Sequence, residues 1–340
     1  CLTALLHCIM VLEKRLSFTS WAVILSIVTF ILSLSGTFLV RSGILNSVHT
    51  FANDPERGIF ILIFLFVLIF ISLIIFFVFH KENNQKIVKI YWLSKETSIL
   101  VNNWFLMYFL SVVLIGTVYP IFLEVLSSEK ISVGPPFYHK LIIPFLIPFL
   151  LFMSIGPNLN WIKSKIKKVR IEIIILFIIS LLVSLLISRK IGSVNLTNIV
   201  LISAAFYLFF ITVKDFFSKK FKNYPQKISH FGFSLLILSI ILNSIFSSEV
   251  ITNLKVGEKF SFKEESITFE SIENTESKNY RSIIGHFKIE DKQKNSIQLK
   301  PELRIYDQPF TITSEADIKT TLYYDKFLVM NLVKGNEYFN

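Results

Sequence analysis

The chain has 340 residues, of which 53% are hydrophobic and 17% are charged, against about 25% charged residues in an average soluble domain. Its mean hydropathy is +0.60, and several apolar runs reach the roughly 20 residues that cross a bilayer. The composition therefore predicts an integral membrane protein. The net charge of +11 lies in the first 247 residues, because residues 248–340 hold 13 Lys and Arg against 15 Asp and Glu. Basic residues in membrane loops set orientation, so this charge gives no support for nucleic-acid binding.

Eight apolar segments are predicted as transmembrane helices, the first of them truncated by the start of the chain. The fifth contains Pro144 and Pro148, so we expect it to be kinked or partly re-entrant. The two cysteines, Cys1 and Cys8, form no zinc pattern and are expected to pack against neighbouring helices. The segments cover residues 2–12, 21–40, 59–79, 104–126, 141–155, 171–187, 196–213 and 230–247.

The loops between these segments alternate in basic content. Loops 13–20, 80–103, 157–170 and 214–229 contain 2, 4, 5 and 5 Lys and Arg, whereas loops 41–58, 127–140 and 188–195 contain 2 each. The positive-inside rule then places the first set in the cytoplasm, or its organellar equivalent, and the second set outside. Residues 1–247 are thus predicted as a transmembrane helical domain whose loop 41–58 lies at the outer surface.

From Ser248 onward the long apolar runs end and alternating polar and apolar residues begin. Gly257, Gly285, Pro301 and Pro309 punctuate this region, as turns punctuate β-strands. Residues 248–340 are therefore predicted as a small, mostly β extracytoplasmic domain.

His7 and His230 are the histidines that we expect inside the membrane. At about 1.5 Å per helical residue, His7 lies within ~10 Å of the predicted inner surface, and His230 lies close to the same surface. An unpaired ionisable side chain in lipid is costly, so a partner, a cavity or a cofactor is expected. Two interpretations remain: hydrogen bonding of both rings to helix backbones, or axial ligation of a haem iron by neutral imidazoles. His80, His139 and His286 are interpreted as interfacial or surface histidines.

The outer loop 41–58 carries His49 together with Arg41 and Arg57, among aliphatic and aromatic residues. This combination suits a second haem, with His49 as an iron ligand and the arginines near the propionates. The alternative is that the arginines anchor the chain at lipid phosphates and His49 is a turn residue.

Several blocks of the sequence resemble those of the CcmF-type cytochrome c haem lyase subunits. They are TALLHC (residues 3–8), GTFLVRSG and SVHTFANDPERG (within 36–58), LSKETSILVNN (93–103), GTVYP (116–120), ISVGPPFY (131–138) and ISHFG (228–232). The tail is similar more weakly, through LKVGE (254–258), Asn279-Tyr280 and TSEA (313–316).

The resemblance implies a membrane haem lyase in cytochrome c biogenesis, located in the bacterial or the mitochondrial inner membrane. By this match His7 and His230 ligate a haem b, which receives electrons from quinol. His49 helps to ligate the incoming, transient substrate haem, which becomes attached to apocytochrome c. The implied partners are a haem chaperone, apocytochrome c and thiol-handling maturation subunits.

The family's tryptophan-rich segment, its second outer histidine and its final span are not found in this sequence. We therefore expect either a piece of a longer protein or a split gene. Two other functions remain open: a transporter of haem or another amphipathic molecule, and a non-catalytic scaffold of the maturation complex.

Overall fold

The computed structural model describes residues 1–42, 54–79, 89–127, 131, 133–164, 171–191, 195–218, 224–292, 295–307, 310–332 and 339. The chain divides into two compact units, Cys1–Ile245 and Phe246–Asn340. The first unit is helical, and the second consists of β-strands. The helices are α1 (Leu2–Arg15), α2 (Thr19–Arg41), α3 (Pro55–Phe79), α4 (Lys95–Ser127), α5 (Pro135–Ile155), α6 (Ile171–Ile191), α7 (Leu196–Phe216) and α8 (Tyr224–Phe246).

Seven of the helices in the described part of the chain, α2 to α8, are long and apolar enough to cross a membrane. Helix α1 has 14 residues and covers about 21 Å at the usual rise, less than a full span. The predicted polytopic helical architecture is confirmed, with a first segment that is short.

Helix α4 differs from its prediction, because it begins at Lys95, nine residues before the apolar segment. Ser94 starts the helix, and its Oγ accepts a hydrogen bond of 3.2 Å from the backbone N–H of Thr97. Capping of this kind allows polar residues to extend a helix beyond its apolar part. Helix α5 continues through Pro144 and Pro148 as one helix of 21 residues. The partly re-entrant form that these prolines suggested is therefore not seen.

The best-packed region of the helical unit lies around α7. Half of the most apolar stretch of α7 is buried, against 6% for α3. Aromatic rings extend this packing, and Phe233 of α8 meets Phe149 of α5 with ring centroids 6.1 Å apart. The buried core joins α5, α7 and α8 through Phe149, Leu150, Ile202, Ala204, Ala205, Leu208, Leu238 and Ile241.

The second unit is an antiparallel β-structure, as predicted. Its strands are β1 (Lys259–Phe262), β2 (Glu265–Glu276), β3 (Tyr280–Asp291), β4 (Ser296–Leu299), β5 (Glu302–Asp307), β6 (Phe310–Glu315), β7 (Asp317–Thr320) and β8 (Asp325–Leu328). Strands β1, β2, β3, β5 and β6 pair in that order, β4 pairs with β3, and β7 and β8 form a separate pair.

The long β2–β3 hairpin carries the core of the second unit. The rings of Phe269 and Phe287 stack with centroids 4.2 Å apart and an interplanar angle of 9°. The buried residues Leu303 and Met330 complete this cluster. Phe339 meets Phe269 edge to face at 5.7 Å, so the end of the chain closes one side of the core.

Candidate functional site

The structure brings His7 of α1 and His230 of α8 together. The centroids of their rings are 6.5 Å apart, and the ring planes differ by 33°. Both side chains are half-buried. Two residues separated by 223 positions in sequence thus face each other between two helices, as their predicted depths required.

The tautomer of His7 follows from its hydrogen bond. Its Nδ1 lies 2.8 Å from the backbone carbonyl oxygen of Thr3, and a carbonyl can only accept, so Nδ1 carries the proton. The Nε2 atom then keeps its lone pair, which is the arrangement that orients a metal-bound histidine. His230 forms no hydrogen bond with the described residues.

The separation of the two rings fits a metal held between them. Metal–imidazole bonds are about 2.0–2.1 Å long, and a ring nitrogen lies roughly 1.2 Å from its ring centre, so a bridged pair has centroids about 6.4–6.6 Å apart. The observed 6.5 Å falls in this range. A haem iron with two axial histidines is the metal group that such a donor set suits.

Helix α1 is held in register by α4. Asn103 Nδ2 lies 3.1 Å from Cys8 Sγ, and Arg15 Nε lies 2.7 Å from Glu96 Oε1. From Cys8 to Arg15 the chain advances seven residues along α1, and the partner in α4 moves back seven residues, from Asn103 to Glu96. Helices α1 and α4 therefore run antiparallel in a constant register. The Cys8 contact fixes α1 immediately beside His7.

Helix α8 is held by α7 close to His230. Thr212 Oγ1 and Ser234 Oγ, both buried, lie 2.7 Å apart, one helical turn beyond His230. The ring of Phe231 lies against those of Phe209 and Phe216, at 6.0 and 5.4 Å. These contacts fix α8 next to His230, as the Cys8–Asn103 contact fixes α1 next to His7.

A polar clamp, formed by Arg15, Glu96 and the backbone of Ile162, closes one end of the bundle. The Glu96 side chain is 2% exposed, and both of its oxygens also accept from the Ile162 N–H at 3.1 Å. Ile162 has a φ of 70°, which a β-branched residue rarely adopts. The clamp ties the end of α1, the start of α4 and the segment after α5 together.

Two lysines stack on aromatic rings at the same end of the bundle. Lys95 Nζ lies 5.4 Å from the ring centroid of Trp161, and Lys163 Nζ lies 5.2 Å from that of Tyr91. Both distances are typical of cation–π contacts. Lys95 also interacts electrostatically with the His230 ring.

His49 and most of the predicted outer loop, residues 43–53, lie outside the described residues, so its proposed ligand role stays a prediction. The two ends of that loop meet, because the Asp54 N–H donates to the Arg41 carbonyl at 3.0 Å. Arg57 Nε pairs with Asp54 at 3.1 Å, and the Arg57 side chain is 74% exposed. Arg57 thus has a carboxylate partner, and its predicted propionate contact is not tested.

Two other histidines, His139 and His286, lie in the described residues. His139 lies in α5, and His286 Nε2 lies 3.1 Å from Glu273 in the β2–β3 hairpin. His80 lies outside the described residues. Among those described, no group of three or more His, Cys, Asp or Glu could hold a metal ion. The His7–His230 pair is therefore the arrangement in the described chain that suits a bound metal.

The sequence reasoning missed the clamp and Lys95. Lys95 and Glu96 fall in residues 93–103, which were assigned to a loop although the block resembled the family. A glutamate and an arginine next to apolar segments were the available signal, since buried charges need partners. Their pairing could not be inferred without the register of α1 and α4.

The fold and this histidine pair define a polytopic membrane protein with a two-histidine site between helices and a β-unit after them. Comparison with known proteins agrees with this class. Residues 245–337 match the family model described as the CcmF C-terminal beta-sandwich. A solved structure named cytochrome c heme lyase CcmF has the same fold, with a TM-score of 0.71 and 19% identity over 99% of this chain and 53% of that chain.

Curated relatives cover nearly the whole chain. It is 32% identical to the cytochrome c-type biogenesis protein CcmF of Pseudomonas fluorescens, over 98% of this chain and 52% of that protein. It is 31% identical to CcmF of Escherichia coli K12, over 96% of this chain and 52% of that protein. The chain belongs to the CcmF-type family of cytochrome c biogenesis proteins and spans about half the length of these relatives.

Proposed function

We propose that this chain holds a haem b between α1 and α8, with His7 and His230 as its axial ligands, as part of a membrane haem lyase. The observation that carries the proposal is the 6.5 Å separation of the two rings. The hydrogen bond from His7 Nδ1 to the Thr3 carbonyl supports the proposal, because this bond leaves the Nε2 lone pair of His7 free for iron.

The bound haem would supply one-electron chemistry. The role of the protein is to fix the two imidazoles, and the Cys8–Asn103 and Thr212–Ser234 contacts do this on either side. The apolar helices around the half-buried histidines limit the access of water. Solvent exposure is one of the factors that set the reduction potential of a haem. Electrons from quinol would reach the substrate haem through this site.

The outer part of the proposed reaction rests on His49. In this proposal His49 binds the substrate haem, and Arg41 and Arg57 lie near its propionates. The covalent step is the attachment of the substrate haem to the thiols of apocytochrome c, with a haem chaperone and thiol-handling subunits as partners. The membrane is the bacterial inner membrane, with the β-unit on its outer side.

An absorption spectrum tests the membrane site. We expect the protein, purified from membranes in which it matures cytochrome c, to show a b-type spectrum that His7→Ala and His230→Ala both abolish. His139→Ala is the matched control, because it removes a histidine from another helix of the same unit and should leave the spectrum unchanged. A spectrum that survives both substitutions, or a parent protein that never carries haem, would refute the proposal.

A further inference from the structure

Lys95 lies in a position that the proposed haem ligation leaves unexplained. Its backbone is fixed by the N–H bond to the Asn160 carbonyl at 3.0 Å, and its side chain is half-buried. The neighbouring carboxylate, Glu96, is hydrogen-bonded to Arg15 and to the Ile162 N–H, and no ion pair joins it to Lys95 in the described part of the chain. Two cations, Arg15 and Lys95, thus lie beside one carboxylate, which leaves an excess positive charge that favours an anion at this site.

The register of α1 and α4 places Lys95 closer than the histidine pair to the end of the bundle that holds the polar clamp. Arg15 and Glu96 are at the same level of the bundle, and His7 lies eight residues from Arg15 along α1. At the usual rise this is a separation of about 12 Å along the helix axis. Lys95, next to Glu96, therefore lies at the end of the bundle toward which the edge of a macrocycle bound at His7 can extend.

The orientation of a bound macrocycle follows from the two ligands. An iron held between α1 and α8 has its axial bonds directed from one helix to the other, across the bundle. The plane of the macrocycle is perpendicular to those bonds, so it contains the direction of the bundle axis. One edge of the macrocycle can then face the end where Lys95, Trp161 and the polar clamp lie.

We propose that the ammonium group of Lys95 binds a propionate of the haem held by His7 and His230. This inference rests on the proposed function and adds a residue to its site. Trp161 covers one side of the lysine at 5.4 Å and limits its motion. A hydrogen bond between an ammonium and a carboxylate is a strong one.

A lysine in this position has two measurable consequences. Its positive charge favours the reduced iron, so loss of the charge should make the midpoint potential more negative. It also anchors the haem, and loss of one charge-assisted hydrogen bond should accelerate haem release about tenfold. A residue with a structural role alone would change neither quantity in this direction.

The test compares Lys95→Met with Lys163→Met in the full protein. Both variants keep an apolar stem against an aromatic ring and lose one positive charge at the same end of the bundle, but only Lys95 belongs to α4, the helix that holds α1 and His7 in register. We expect a more negative midpoint potential and faster haem transfer to apomyoglobin for Lys95→Met, parent values for Lys163→Met, and near-parent values for Lys95→Arg. If Lys95→Met does not accumulate, Lys95→Gln is measured with the same expectation.

The outcomes separate this inference from the proposed function. If the b-type spectrum depends on His7 and His230 but Lys95→Met and Lys163→Met behave alike, the lysine assignment is wrong and the haem site stands. If the parent shows no b-type spectrum, or keeps it in the histidine variants, both are wrong.

Discussion

Arg15 donates a 2.7 Å hydrogen bond from Nε to the buried carboxylate of Glu96, and this contact joins the end of α1 to the start of α4. Helix α1 ends at Arg15, so the contact holds its last residue against the start of α4. Because His7 is on this helix, the clamp supports one of the two proposed haem ligands from eight residues away.

The first prediction concerns Glu96→Ala. This substitution leaves the Arg15 guanidinium and the Ile162 N–H without their acceptor, and removal of one partner of a buried pair costs about 3–5 kcal/mol. We expect a lower midpoint of thermal unfolding in detergent and a lower haem content. The control is Glu172→Ala, which breaks an exposed pair with Lys214 and should cost at most about 1 kcal/mol. Equal effects of the two substitutions would show that the clamp does not hold α1.

The second prediction concerns two glycines in the block 36–58. A Cβ on Gly58 would lie 2.9 Å from Ser42 Cα, whereas a Cβ on Gly36 would meet nothing within 4 Å. Gly58→Ala should therefore cost about 1–3 kcal/mol through overpacking, and Gly36→Ala should be neutral or stabilising by up to about 1 kcal/mol. Thermal unfolding and cytochrome c maturation measure the two effects. Maturation that is normal in Gly58→Ala would contradict the need for close approach of Gly58 to Ser42.

Much of this fold followed from the sequence, because apolar runs identify helices regardless of their partners. The centres of all eight segments were predicted correctly, and alternation identified the β-unit. The starts of α4, α5 and α8 were missed, since their first residues lie outside the apolar runs and, of the three, only α4 has a side-chain cap among the described residues, from Ser94. Hydropathy detects the apolar part of a helix and leaves its ends uncertain.

The candidate site was predictable in part for a similar reason. His7 and His230 were identified by depth, because charge alternation puts both near one surface, and the structure confirms that they meet. Lys95 and Glu96 were not identified, because their roles depend on the antiparallel register of α1 and α4. Pairing between distant helices leaves no local pattern in a single sequence.

The third prediction concerns the contact beside His7. Asn103 is fully buried, its Nδ2 contacts Cys8 Sγ, and its Oδ1 has no hydrogen-bond partner. Cys8→Ala would leave the amide with an additional unpaired group and should cost about 1–3 kcal/mol. Asn103→Leu removes both polar groups at similar volume, so it should cost less. Cys1→Ala is the control, since Cys1 contributes only its backbone carbonyl to a bond with Leu5.

A double-mutant cycle gives the coupling between Cys8 and Asn103 directly. We expect the Cys8→Ala, Asn103→Leu double variant to be less destabilised than the sum of the single variants, as for residues in contact. Additive effects would mean that the 3.1 Å contact contributes nothing, and α1 would then be fixed by the Arg15–Glu96 pair and apolar packing.

The last prediction concerns acid stability of the β-unit. A hydrogen bond from Arg304 holds the pKa of Glu302 below its ordinary value, and the pair joins neighbouring positions on β5. A carboxylate whose pKa is lower in the folded state stabilises that state above its unfolded pKa of about 4.3. This contribution is lost as the pH falls through the lower, folded pKa. Glu302→Gln removes the ionisable group, so parent and variant should differ in stability near pH 7 and converge under acid conditions.

Hydrogen exchange of the β5 amides in the full protein, corrected for the intrinsic pH dependence of exchange, measures this difference. Glu264→Gln is the control, because Glu264 and Lys292 are both largely exposed and such pairs contribute little. We expect the protection of β5 in Glu302→Gln to be lower than in the parent at pH 7 and equal to it once the pH is below the folded pKa of Glu302. A difference that stays constant across this range would show that the Glu302 charge is not the stabilising feature, and packing of its side chain beside Arg304 would then account for the loss.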